Sequence, residues 1–214
     1  MERIVECVPN FSEGRNEGII KEITDTIEAV AGVKLLDVDP GADTNRTVVT
    51  MVGSPQNVAE AAFQAVKRAA QLIDMRQHRG AHPRFGATDV VPFVPVSGVT
   101  MDDCVKLAGQ VGKRIGEDLG IPVYLYEHAA SRPERRNLSR VRTGEYEGLA
   151  EKLADDEWQP DFGPSTFNAE AGATAVGARE FLIAYNIDLN TTERKYANEI
   201  AYALRERGRW KRTG

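Results

Sequence analysis

The sequence predicts an α/β (α+β) fold built on a ferredoxin-like split βαβ lobe with a mixed sheet, whose last 36 residues either join that sheet or begin a second lobe. Two observations carry this. Apolar, β-branched runs alternate with stretches of helical periodicity in the order β-α-β-β-α-β, followed by one more helix and strand. The link between the second and third strand-like runs is too short for a crossover, so that pair is an antiparallel hairpin.

Each element has a local signal. Arg3 to Val8 alternates and is rich in β-branched residues, and Pro9-Asn10 and Ser12-Glu13-Gly14 break it, giving a strand and a loop. Ile19, Ile20, Ile23, Ile27 and Val30 recur at helical spacing, with Gly32 where a stop belongs. VKLLDVD (33–39) and RTVVTMV (46–52) are strands joined by the polar turn PGADTN. Ser54-Pro55 opens a long helix as N-cap and first helical residue, and Val58, Ala61, Ala62, Ala65, Val66, Ala69, Leu72 and Ile73 line one face of it. VVPFVPV (90–96) is an apolar strand whose Pro92 and Pro95 push it toward an edge or an irregular end. Thr100 caps a helix that ends at Gly120, with Val105, Ala108, Val111 and Ile115 facing inward, and IPVYLYEH (121–128) is the next strand. The pattern is that of an extended ferredoxin-like sheet, with helices on one face and the other face free.

Beyond it, residues 129–160 are polar, gather Arg132, Arg135, Arg136, Arg140 and Arg142, and read as a connection with a short helix near 146–153. FGPSTFNAEAGATAVGA (162–178) reads as irregular, REFLIAYNIDL (179–189) as a strand, and a helix capped at Thr191 or Thr192 runs to Arg207.

Composition narrows the function. In 214 residues, 27 Lys and Arg face 32 Asp and Glu, and the net charge of -5 offers no basic field for a nucleic acid or an anionic membrane. No run approaches the roughly 18 apolar residues of a membrane span. Cys7 and Cys104 have no C-x-x-C spacing, and the acidic N-terminus does not resemble a signal peptide, so a cytoplasmic location is expected.

Two of the three histidines, His78 and His82, lie in HRGAHPRFGATD (78–89). Four residues apart, they would share a helix face as metal ligands, but Gly80 and Pro83 oppose the helix, so no metal is expected. A histidine satisfied by backbone in a surface loop is one reading. A proton carrier near neutral pH, held by glycine and proline turns beside Arg84 and Asp89, is the other. Asp37, Asp39 and Glu6 are solvated alternating acids or, for Asp39 at a strand end, a carboxylate that orients an imidazolium. PNFSEGRN lacks the glycine and lysine pattern of a phosphate loop.

VECVPNFSEGRN, LLDVDPGADTNRTV, HRGAHPRFGATDVVPFVPV, VYLYE and DFGPSTFNAEAGATAVGAREFLIAYNI, in this order over residues 2 to 207, resemble the formiminotransferase domain family, the glutamate formimidoyltransferases of histidine breakdown. The resemblance implies transfer of a formimino group from N-formimidoyl-L-glutamate to N5 of tetrahydrofolate, which serves as co-substrate, without a metal. It implies His82 as the catalytic residue, Asp39 near the reacting centre, and a folate-lying segment of Gly163, Pro164, Ser165, Thr166, Phe167, Asn168, Ala169, Glu170, Ala171 and Gly172. Both substrates carry carboxylates, so Arg46, Arg84 and Arg179 are candidates to bind them. The implied architecture is two ferredoxin-like lobes facing each other across a folate cleft, in a homodimer. Residues 1–178 would be the N-terminal subdomain and 179–214 the beginning of a truncated C-terminal one. A non-catalytic folate-binding or regulatory fragment, and a generic ferredoxin-like interaction domain, remain open beside the transferase.

Overall fold

The computed structural model describes residues 2–183 and 189–204. The chain divides into two compact units, Met1–Phe181 and Leu182–Gly214. In the first, strands β1 (Ile4–Cys7), β2 (Asn10–Phe11), β3 (Val33–Gly41), β4 (Arg46–Gly53), β5 (Thr88–Ser97), β6 (Val123–Glu127) and β7 (Thr174–Ala178) form one mixed sheet. Across it run β3, β4, the interrupted strand β1/β2, β5, β7 and β6. The first four positions are antiparallel, which is the predicted ferredoxin-like arrangement, and β7 and β6 extend it in parallel with β5.

Helices α1 (Glu17–Glu28), α2 (Pro55–Leu72) and α3 (Met101–Leu119) form where their end signals predict. The Asn16 side chain caps α1 by accepting from the Gly18 and Ile19 N–H groups at 3.0 and 3.2 Å. Thr100 and Asp103 make a reciprocal capping box on α3, and Gly120 ends that helix in the left-handed conformation at φ +64°. Their inner residues pack on Val5, Cys7, Phe11, Val49, Met51, Val91 and Phe93, alternate positions of the strands that share one face. Each large apolar side chain buried there contributes about 1.5–3 kcal/mol.

Three expectations are corrected. Strand β5 is central, between β1/β2 and β7, despite its two prolines. The Pro92 carbonyl accepts from Val8 N–H at 3.2 Å, so the proline's missing donor faces the Val8-Pro9 break between β1 and β2. Pro95 lies beyond the end of β7, whose ladder stops at Phe93. The stretch 174–178, read as irregular, is β7: its small residues are weak strand formers, and two neighbouring strands impose the conformation. The second face is free only in part. Residues 129–158, with helices α4 (Leu138–Val141) and α5 (Leu149–Ala154), cover its β6 and β7 side, where Val141, Leu149 and Leu153 bury Tyr124, Tyr126, Val90 and Ala175.

Asp161 closes the outer edge of β6. Its carboxylate accepts from Leu125 N–H at 2.7 Å and pairs with the buried Arg135 guanidinium, also at 2.7 Å. Among the described residues no helix is long and apolar enough to cross a membrane. In the strand expected over 179–189, residues 179–183 carry no strand and 184–188 lie outside the described residues. The last helix, α6, is Arg194–Leu204, with the Thr191 hydroxyl accepting from Glu193 N–H at 3.2 Å. Its expected continuation to Arg207 also lies outside the described residues.

Candidate functional site

Three loops meet at one end of the sheet: residues 12–16 before α1, the β3–β4 turn at 41–46, and residues 74–87 leading into β5. The last of these carries His82. The Ala81 N–H donates to the Asp43 carbonyl at 3.0 Å, and Pro83 restricts the backbone on the other side. Burial, followed by the nearby Arg46 guanidinium, pushes the His82 pKa below its ordinary 6.5, while Asp89 pulls it up and Arg142 pushes it down. A histidine held this way is neutral at neutral pH, and its ring can accept a proton.

Asp89 owes its position to a β-bulge. Asn10 faces Val90 and Phe11 faces Thr88, so Asp89 is the extra residue on β5. Its buried carboxylate receives a fork from Arg142, with Nε at 2.9 Å from Oδ1 and Nη2 on Oδ2. Arg46, at the start of β4, donates through Nη1 to the Asn10 side chain, and its buried Nε has no partner among the described residues. Burial lowers the pKa of this guanidinium, Asp89 raises it, Arg142 lowers it and Asp39 raises it. Asp39 itself is exposed on the edge strand opposite Val48 and joins the group through Arg46.

The structure thus gathers His82, Arg46, Asp89 and Arg142, with Asp39 at their margin. Sequence reasoning had placed Asp89 beside the loop and Arg142 in an arginine cluster, without joining them. An aspartate opening an otherwise apolar strand was the available signal.

Arg179 borders this group through Tyr126, on which Asp89 and Arg142 also act, and Arg84 lies apart from it. Arg179 follows β7, donates its N–H to the Phe93 carbonyl at 3.0 Å, and acts on the buried Tyr126 hydroxyl and on Glu6. Burial raises the Glu6 pKa against the pull of Arg179. Arg84 is a brace. Its guanidinium donates to the His78 carbonyl at 2.5 Å and the Met75 carbonyl at 3.3 Å, pairs with Glu147, and lies 5.0 Å from the centre of the Tyr146 ring. The Tyr146 hydroxyl donates to the Ala169 carbonyl at 2.6 Å, which ties Arg84 to the 163–172 segment.

That segment bridges back to the histidine loop through Gly86 and Gly172. Pro164, Thr166, Phe167, Asn168, Ala169 and Glu170, with Arg76 and Gly120, line a hollow of about 370 Å³ that includes none of His82, Asp39, Arg46 or Arg179. His78 is satisfied by backbone, as one reading of the loop histidines has it, but buried: its Nε2 bonds the Asn45 carbonyl of the β3–β4 turn at 2.8 Å.

An open sheet face bearing a neutral imidazole among cations, with a buried carboxylate as counterweight, has the constitution of an acid–base group-transfer site. Residues 4–179 match the family model described as the formiminotransferase domain, N-terminal subdomain. The chain is 56% identical over 211 residues to the formimidoyltransferase-cyclodeaminase of Rattus norvegicus, a match covering 99% of this chain and 39% of that protein. It is 50% identical over 208 residues to the glutamate formimidoyltransferase of Streptococcus pyogenes serotype M1, covering 97% and 70%. Against the glutamate formimidoyltransferase of Thermoplasma acidophilum it is 51% identical over 204 residues, covering 94% and 67%. The chain therefore belongs to the formiminotransferase family. It spans 39% of the length of the rat relative and 67–70% of the two glutamate formimidoyltransferases.

Proposed function

We propose that the chain supplies the histidine-bearing part of a glutamate formimidoyltransferase, which moves the formimino group of N-formimidoyl-L-glutamate to N5 of tetrahydrofolate. The observation that carries this is the half-buried His82, kept neutral beside Arg46 and the Asp89–Arg142 pair. N5 adds to the formimino carbon, and His82 takes the N5 proton as the new C–N bond forms. The imidazolium then returns a proton to the glutamate nitrogen as the old C–N bond breaks, leaving glutamate and 5-formimidoyl-tetrahydrofolate. Between the two transfers Asp89 stabilises the imidazolium, and Asp39 adds negative charge from the edge strand. Arg46 opposes the imidazolium and so drives the proton onward.

The half-buried Arg46 guanidinium, whose charge acts on His82, supports a role in holding a substrate carboxylate, and Arg179 is the second candidate. The hollow of about 370 Å³ beside Pro164 and Thr166 to Glu170 is of the size small-molecule sites have, which supports the folate reading of that segment. No metal enters this mechanism. A homodimer and a cytoplasmic location belong to the same reading.

In a chain continued to full family length, His82→Ala should lower turnover by about 10²- to 10⁴-fold with folate affinity little changed, and His78→Ala far less. Equal losses for the two variants, or a His82→Ala defect confined to folate binding, would remove proton transfer from His82.

A further inference from the structure

We infer that Asn45 is the positioning residue for His82, because its side chain and carbonyl lock three loops into one body. The inference rests on the catalytic reading of His82 given above.

Asn45 sits in the β3–β4 turn at φ +47°, a left-handed conformation that asparagine tolerates better than most residues with a side chain. It is buried, and three hydrogen bonds leave it for two different loops. Its Oδ1 accepts from Gly14 N–H at 3.0 Å, and its Nδ2 donates to the Arg79 carbonyl at 2.9 Å. Its own carbonyl takes the His78 ring at 2.8 Å. A carbonyl only accepts, so His78 Nε2 carries a proton, while the buried Nδ1 finds no hydrogen-bond partner among the described residues. Burial lowers the His78 pKa, the Asn45 bond raises it, Arg84 lowers it, Glu13 raises it and Arg15 lowers it.

The backbones around these bonds touch. A Cβ on Gly80 would lie 2.1 Å from the Thr44 carbonyl oxygen, and one on Gly14 would lie 2.3 Å from that of Gly41. Only glycine permits either approach. The Ala81 bond to Asp43 and the Thr47 hydroxyl bond to the Glu13 carbonyl, at 2.5 Å, complete the lacing. PNFSEGRN, unreadable as a phosphate loop, has its use here as one of the three locked segments.

His82 begins one residue beyond the last of these bonds. Arg46 of β4, Asp89 of β5 and Arg142 after α4 act on its titration, as does the Pro83 backbone. The lock therefore fixes the backbone from which the ring is held out toward these groups. Misplacing a reacting group by about 1 Å costs about 10²-fold in rate, which is the scale on which such a lock matters.

The test uses Asn45→Gly, which keeps the backbone conformation and the carbonyl for His78 but removes both side-chain bonds. If that variant does not fold, Asn45→Asp, which keeps the acceptor and loses the donor, is measured in its place. On the present chain, the His82 ring proton is titrated by NMR. In the chain continued to full family length, turnover is measured beside His82→Ala. We expect the His82 pKa to move up toward 6.5 as its loop loosens into water. We expect kcat to fall about 10- to 100-fold with KM within about twofold. An unchanged titration with unchanged turnover, or a loss confined to KM, overturns the lock while His82→Ala remains inactive. Full turnover of His82→Ala overturns the catalytic reading instead.

Discussion

Over β6 and β7 the second face of the sheet lies beneath residues 129–158, where Arg135 pairs with Asp161, both almost wholly buried. Over β2, β3 and β4 the same face has no such cover among the described residues. Arg46 shares one donor with Asn10 and leaves another without a partner among those residues, and His82 stands between two arginines and one carboxylate. The difference lies in what remains for chemistry. A charge whose hydrogen bonds are all met braces the fold, whereas one held only in part can still change its proton or its partner. Asp89 stands on the boundary, on the bulge of β5, fixed by an arginine that comes from the cover.

Breaking the covered pair should have the largest effect. Arg135→Leu leaves Asp161 as a buried, unpaired carboxylate and should destabilise the fold by about 3–5 kcal/mol, read from urea unfolding. A loss below about 1 kcal/mol would end the distinction between the two halves.

Acid should act next. His78 and His82 both have pKa values held below 6.5, chiefly by burial, so the unfolded chain binds their protons first. Their contribution to stability is complete above 6.5 and is lost as pH falls through the depressed folded values. The urea midpoint should therefore drop between about pH 7 and about pH 5, and His78→Gln, which cannot titrate, should flatten that drop. An equally steep decline in the variant would assign it to other groups.

Arg46→Met should have the smallest effect on stability, within about 1 kcal/mol, because an apolar chain replaces a cation that is desolvated and incompletely paired. The same change should raise the His82 pKa by removing a repelling charge, as NMR titration would record. A fall in that pKa would mean that Arg46 acts on His82 by some route other than repulsion.

Helices α1 to α3 and strands β1, β3, β4 and β5 were legible because each has a periodic face or a chemical stop, as at Pro55, Thr100 and Gly120. Asn10 and Phe11, by contrast, read as part of a break and loop, form β2 between β4 and β5. Strand β7 was not legible, since alanine and glycine carry little strand preference and only the neighbours on both sides make TAVGA extended. Pro92 misled for a related reason: whether a missing N–H matters depends on what lies across from it, and the break at Val8-Pro9 is invisible from position 92. Of the proposed site, His82 is singled out by the family resemblance, whose histidine precedes Pro-Arg, whereas its neighbours in sequence leave both loop histidines open. Its partners could not be singled out: Asp89 and Arg142 are 53 residues apart, and Asn45 looks like any turn asparagine until the loops close on it.

The insertion of β7 between β5 and β6 also orders the birth of the fold. Residues up to Leu119 contain every strand of the antiparallel lobe and the three helices that cover it, so on the ribosome that part can assemble first. Strand β6 cannot join it, because its ladder partner is β7, which emerges about fifty residues later. Until then β6 is an apolar edge exposed to any other extended chain, and the nascent protein depends on five small residues near the end of this unit to close its sheet.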